Sequence, residues 1–130
     1  MRDTASKLDP TPVPPNVHSH LRVEIRSEPR ATVLAVSGEL DLASSPALEE
    51  ALERARESDP ATLILDLREL VFIDSTGLSV LVKADQRARE TGKRFGLVNG
   101  PSQVQRLLVL TGLTGRLTMA DTPEELLSGD

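Results

Sequence analysis

Apolar and polar positions alternate where the chain first shows a pattern, then settle into helical spacing. In Leu21-Arg22-Val23-Glu24-Ile25 every second residue is apolar, which predicts a half-buried strand. Glu28-Pro29-Arg30 supplies a turn. Ala31-Thr32-Val33-Leu34-Ala35-Val36 then predicts an antiparallel hairpin partner, ended by Gly38-Glu39-Leu40-Asp41. Ser44-Ser45-Pro46 signals a helix start: a hydroxyl cap, proline in the first turn, and Glu49 and Glu50 behind it. Leu48, Ala51, Leu52 and Ala55 share one helical face, and Ser58-Asp59-Pro60 stops the helix. Thr62-Leu63-Ile64-Leu65 is nearly continuous in apolar character, as a central strand covered on both faces is.

A second apolar stretch, Leu70-Val71-Phe72-Ile73, leads into Asp74-Ser75-Thr76-Gly77-Leu78 and a helix reaching about Glu90. Gly92 is placed to end that helix, and Arg94-Phe95-Gly96-Leu97-Val98 predicts the next strand. Asn99-Gly100-Pro101-Ser102 is a turn. Val104, Leu107, Leu108 and Gly112 outline a third helix and its end. Leu117-Thr118-Met119 predicts a short last strand, and Asp121-Thr122-Pro123-Glu124-Glu125 starts a short terminal helix. Strands alternating with helices make this an α/β chain, with a mixed sheet of about four to five strands and helices packed on it. Residues 1–20 carry Pro10, Pro12, Pro14 and Pro15 among small polar residues, too little apolar surface to offset ordering. They are expected to be a disordered tail, leaving 21–130 as one folded domain.

Composition narrows the chemistry. Phe72 and Phe95 are the only aromatics, so the core is aliphatic and base stacking on single-stranded nucleic acid is disfavoured. The net charge is −5, and Arg2, Asp3, Lys7 and Asp9 cancel within the tail, so the folded part carries the surplus. An acidic domain repels nucleic acid and anionic membranes. There is no Cys, hence no disulfide, thiol nucleophile or thiolate metal site. Met1-Arg2-Asp3-Thr4 is followed by no apolar run, and no stretch reaches the length of a membrane span. The expectation is a cytoplasmic domain with no direct membrane insertion.

Candidate catalytic patterns are thin. Gly92-Lys93 is the one Gly-Lys pair. Arg87 stands where a phosphate-cradling loop needs Gly, and Arg94 where it needs Ser or Thr. His18 and His20, the only histidines, fall in the tail, which disfavours serine hydrolysis, and no Cys or acidic cluster stands with them to complete a metal site. Asp41, Asp66 and Asp74 are the candidates for carboxylate-pair chemistry, set against capping and turn formation, the ordinary work of Asp at strand ends. No enzyme activity, cofactor or metal is expected.

The start of the helix after Ile73 is different. A helix N-terminus has unpaired N–H groups and a partial positive charge, so a hydroxyl there can cap the helix or carry a phosphate. Gly77, Leu81, Ala84 and Ala88 make a face for the sheet, while Leu78 and Val82 lie on an adjacent face and Val80 on another. Apolar groups thus wrap the first two turns, and an exposed part of that wrap beside Ser75 would suit a partner.

These residues resemble a STAS domain of the bacterial anti-sigma-factor antagonist family. Gly38-Glu39-Leu40-Asp41 resembles the family's first signature. Val71-Phe72-Ile73-Asp74-Ser75-Thr76-Gly77-Leu78 resembles its phosphorylation-site signature, and Thr111-Gly112-Leu113 a weaker third feature. The resemblance spans roughly residues 21–128. Ser79 stands where a Gly is common and Leu108 where a Phe is common. It implies a partner-switching module. The unphosphorylated antagonist binds an anti-sigma factor with a GHKL-type serine kinase fold and so releases a sigma factor. Phosphorylation at Ser75, with Thr76 as the alternative hydroxyl, switches it off, and a serine phosphatase restores it. The implied partner-binding set is Asp41, Asp74, Ser75, Thr76, Gly77, Leu78 and Val82. Two other STAS roles stand beside this one: a soluble adaptor subunit of a membrane lipid transporter, and a subunit of a stress-sensing scaffold.

Overall fold

A computed structural model describes residues 20–128. The expected tail, with His18, lies outside them except for His20, which sits in a turn at φ 55°. Strands β1 (Leu21–Ser27) and β2 (Thr32–Leu40) form the antiparallel hairpin. Helix α1 (Ser45–Arg56), strand β3 (Thr62–Ile73), helix α2 (Ser75–Glu90) and strand β4 (Arg94–Val98) follow. Helix α3 (Ser102–Leu110), a 3₁₀ turn (Leu113–Gly115), strand β5 (Met119–Ala120) and helix α4 (Pro123–Ser128) complete the chain.

The strands lie in chain order, β1-β2-β3-β4-β5, and every pair after the hairpin is parallel. Each parallel pair needs a crossover, and crossovers are right-handed. A sheet that grows in one direction therefore collects its crossover helices on one face. The main core sits there, with Leu34, Leu40, Leu65 and Leu97 of the sheet against Leu48, Leu81 and Leu108 of α1, α2 and α3. A smaller core of Val33, Ile64 and Val98 lies on the opposite face under Leu126 of α4.

Strand β3 is longer than its two apolar stretches suggested, because the polar segment between them is also strand. Its pairing with β2 slips twice, between Ala35 and Ser37 and between Gly38 and Glu39. Each slip adds one β3 residue and reverses the phase of its side chains. Leu67, Leu70 and Ile73, three apart, can therefore all enter the main core. Strand β2 likewise runs on through Gly38 to Leu40 instead of ending there. Gly38 has φ +98°, and a Cβ on it would lie 2.0 Å from the His20 carbonyl oxygen. The last strand is shifted: Leu117 is buried in the main core, and Met119–Ala120 pairs with β4.

Candidate functional site

Strands β2 and β3 run parallel, so both deliver their C-terminal ends to one rim. Asp74 follows β3 directly. Its backbone is extended (φ −111°, ψ −174°), which aims the side chain over the first turn of α2. One carboxylate oxygen accepts from Gly77 N–H at 3.0 Å. The other accepts from Leu42 N–H at 3.1 Å, across the rim. Asp74 N–H donates to Leu40 O at 3.1 Å. One residue thus caps α2 and ties the β2–α1 loop to it.

Gly77 keeps this junction close. A Cβ there would meet Leu40 Cγ at 2.7 Å and Ile73 Cγ1 at 2.8 Å. The helix start can press against the ends of both strands only with Gly at this position.

Ser75 is the first residue of α2 and is exposed, and its hydroxyl makes no hydrogen bond among the described residues. Thr76 is half-buried. Asp74 already engages Gly77 N–H, and its carbonyl accepts from Leu78 N–H at 3.0 Å. The N–H groups of Ser75 and Thr76 remain as helix-start donors. Ser79 is exposed one turn on, so the residue where the signature commonly has Gly shares a stripe with Ser75.

Asp41 lies on the same rim, but its carboxylate faces its own loop. It accepts from Ser44 N–H at 3.0 Å, and Asp41 N–H donates to Ser44 Oγ at 2.9 Å. Ser44 Oγ donates to Glu39 O at 2.8 Å, and Ser45 Oγ to Asp41 O at 2.8 Å. The expected hydroxyl cap on α1 is therefore absent, since these hydroxyls turn back into the preceding loop. The backbone explains it: Ser44 is already helical (φ −97°, ψ −16°), so its side chain does not reach forward.

The apolar component of the rim is also not where the helical pattern put it. Leu78 is only 7% exposed and Val80 4%, and Val82 is partly buried against the main core. Helix α1 packs beside α2 and joins the sheet in covering the wide apolar wrap, and Glu53–Arg87 bridges the two helices at 2.7 Å. The exposed apolar groups at this end come from elsewhere: Leu42 (73%), Val71 (52%) and Phe72 (47%). Their signal in the sequence was weak. Leu42 follows the Gly-Glu-Leu-Asp turn, where no periodic partner covers it. Phe72 sits beside a slip that turns it away from the core.

The third strand-end carboxylate, Asp66, lies within β3 and is held by Arg68 at 2.7 Å. Burial pushes its pKa up, but the Arg68 side-chain and backbone hydrogen bonds and charge outweigh that and hold it below the ordinary value. At the far end of α2 a cavity of about 140 Å³ is lined by Arg56, Arg87, Lys93 and Arg94. Glu53 pairs with both Arg56 and Arg87, and Asp59 with Lys93.

Comparison with known proteins shows the family of the chain. Residues 22–126 match the STAS domain family. The anti-sigma-F factor antagonist RsfB of Mycobacterium tuberculosis is 30% identical over 109 residues, 84% of this chain and 88% of the relative. An anti-sigma factor antagonist from Mycobacterium paratuberculosis superposes with a TM-score of 0.76 at 28% identity, covering 84% of this chain and 92% of that one. The Bacillus cell fate determinant SpoIIAA in its phosphorylated form shares the fold (TM-score 0.63, 21% identity, 82% and 97% covered). With its motifs, its sheet order and these relatives in agreement, the chain belongs to the STAS domain family, among the anti-sigma factor antagonists.

Proposed function

We propose that the rim binds an anti-sigma factor and that phosphorylation of Ser75 ends the contact. The observation that carries this is the division of labour at the α2 start. Asp74 does the capping, so the Ser75 hydroxyl is exposed and uncommitted. A hydroxyl needed for capping would resist modification, whereas this one costs the fold nothing to modify.

A phosphoryl group adds about −1.5 to −2 charges. At Ser75 it meets the donors and dipole of a helix start, which accommodate it without unfolding the domain. Against a partner's surface the outcome differs. Leu42, Val71 and Phe72 offer apolar contact at this end, and a phosphate beside Asp74 would have to lose water there unpaired. Moving a bound population from about 99:1 to 1:99 takes about 5.5 kcal/mol, within reach of a buried, unpaired dianion. The partner in this reading is an anti-sigma factor with a GHKL-type serine kinase fold, and a serine phosphatase restores the binding form.

The test is calorimetric titration of the wild type, Ser75→Ala and Ser75→Asp against the purified anti-sigma factor, with the phosphate mapped by mass spectrometry after incubation with ATP. Ser75→Ala is expected to bind like the wild type and take no phosphate. Ser75→Asp is expected to bind at least about tenfold more weakly. Equal affinities for the two variants would sink the reading, and a phosphate mapped to Thr76 would move the switch by one residue.

A further inference from the structure

We propose that β1 is a self-association edge, through which two copies of this chain join their sheets antiparallel about Ile25. The two edges of the sheet are built differently. Strand β5 has two residues and offers little to pair with. Strand β1 has seven, in unbroken register with β2 from Leu21↔Gly38 to Ser27↔Thr32. It carries no Pro and no bulge, two of the devices that keep an edge solitary, and its charged residues Arg22, Glu24 and Arg26 alternate in sign and so can pair with a second copy.

The hydrogen-bond parity of the hairpin says which groups face outward. Glu28 and Ala31 exchange bonds at 2.9 and 3.3 Å, and at the other end Glu39 N–H donates to His20 O at 3.2 Å. Bonded and non-bonded pairs alternate in an antiparallel ladder. Arg22, Glu24 and Arg26 therefore bond inward to β2, while Val23, Ile25 and Ser27 turn their N–H and C=O groups to the open edge.

The side chains narrow the register to centres on outward-bonding residues, of which Ile25 is the exposed apolar one. Arg22, Glu24, Arg26 and Glu28 alternate in sign along one face. A twofold axis at Ile25 bonds Ile25 to its counterpart and Val23 to Ser27 of the second copy, using only outward groups. It sets Glu24 opposite Arg26 and Arg22 opposite Glu28 in both directions, so every facing pair is opposite in sign. Ile25, exposed at 37%, is covered by the second Ile25. Centring on Glu24 instead would oppose Glu24 to itself and Arg22 to Arg26, and would call on groups already bonded to β2. In the Ile25-centred dimer the two Ser75 rims lie at opposite ends of the doubled sheet. The end of β2 lies beside the start of β1, away from the axis, so both rims stay open.

Sedimentation velocity on the full chain over a concentration series tests this. The wild type is expected to shift from monomer to dimer. Glu24→Arg and Arg26→Glu, each of which makes two like-charge pairs, are each expected to weaken the dimer by about tenfold. Glu24→Arg combined with Arg26→Glu restores opposite signs and is expected to return to the wild-type constant. Circular dichroism verifies folding, and if a single variant fails to fold, Arg22→Glu with Glu28→Arg repeats the cycle on the other pair. A wild type that stays monomeric overturns the proposal. So does a dimer indifferent to the single reversals, or a double variant as weak as either single one.

Discussion

The starts of α1 and α2 use the same residue type in opposite ways. At α1, Ser44 and Ser45 are buried, and their hydroxyls bond back to Glu39 and Asp41. At α2, Ser75 is exposed because Asp74 carries the cap. The difference begins in the backbone of the preceding residue. Ser44 is already helical, so its side chain folds toward the loop. Asp74 is extended, so its carboxylate reaches the Gly77 N–H. Whether a serine at a helix start is structural or available is thus decided by its neighbour's conformation.

Three substitutions break or sharpen this contrast. Asp74→Ala should have the largest effect, because it removes a cap and the tie to Leu42 together. A loss of about 2 to 3 kcal/mol is expected from urea denaturation. Ser44→Ala should cost about 1 to 2 kcal/mol in the same assay, since Asp41 N–H and Glu39 O lose a buried partner. Ser75→Ala should change stability by less than about 0.5 kcal/mol, the range of an exposed surface change. Equal losses at Ser44 and Ser75 would mean that the two serines do the same work and that the contrast is false.

Elements set by local pattern were legible in the sequence. Leu48, Ala51, Leu52 and Ala55 all face the core as their spacing requires, and β4 runs from Arg94 to Val98 as read. The helix start at Asp74-Ser75 was legible for the same reason. What failed depended on distant packing. Asp66, Arg68 and Glu69 interrupt the apolar run of β3 and look like a loop, yet Asp66 pairs with Arg68 and the slips in register keep the strand continuous. Leu78 looked available for a partner because α1, which covers α2, is far from it in sequence. Leu42 and Phe72 gave no periodic sign of exposure, since a period reports a face and not whether a neighbour stands over it.

The tie between Asp74 and Leu42 joins residues 32 positions apart. Between them lie all of α1 and the whole of β3, so the rim comes into being only after that crossover has closed. A half-made chain on the ribosome, or one partly unravelled by heat, still contains the peptide Asp74-Ser75-Thr76 but not the surface. A protein that reads the surface rather than the peptide therefore inspects each molecule for completed folding before it engages, and counts only finished copies.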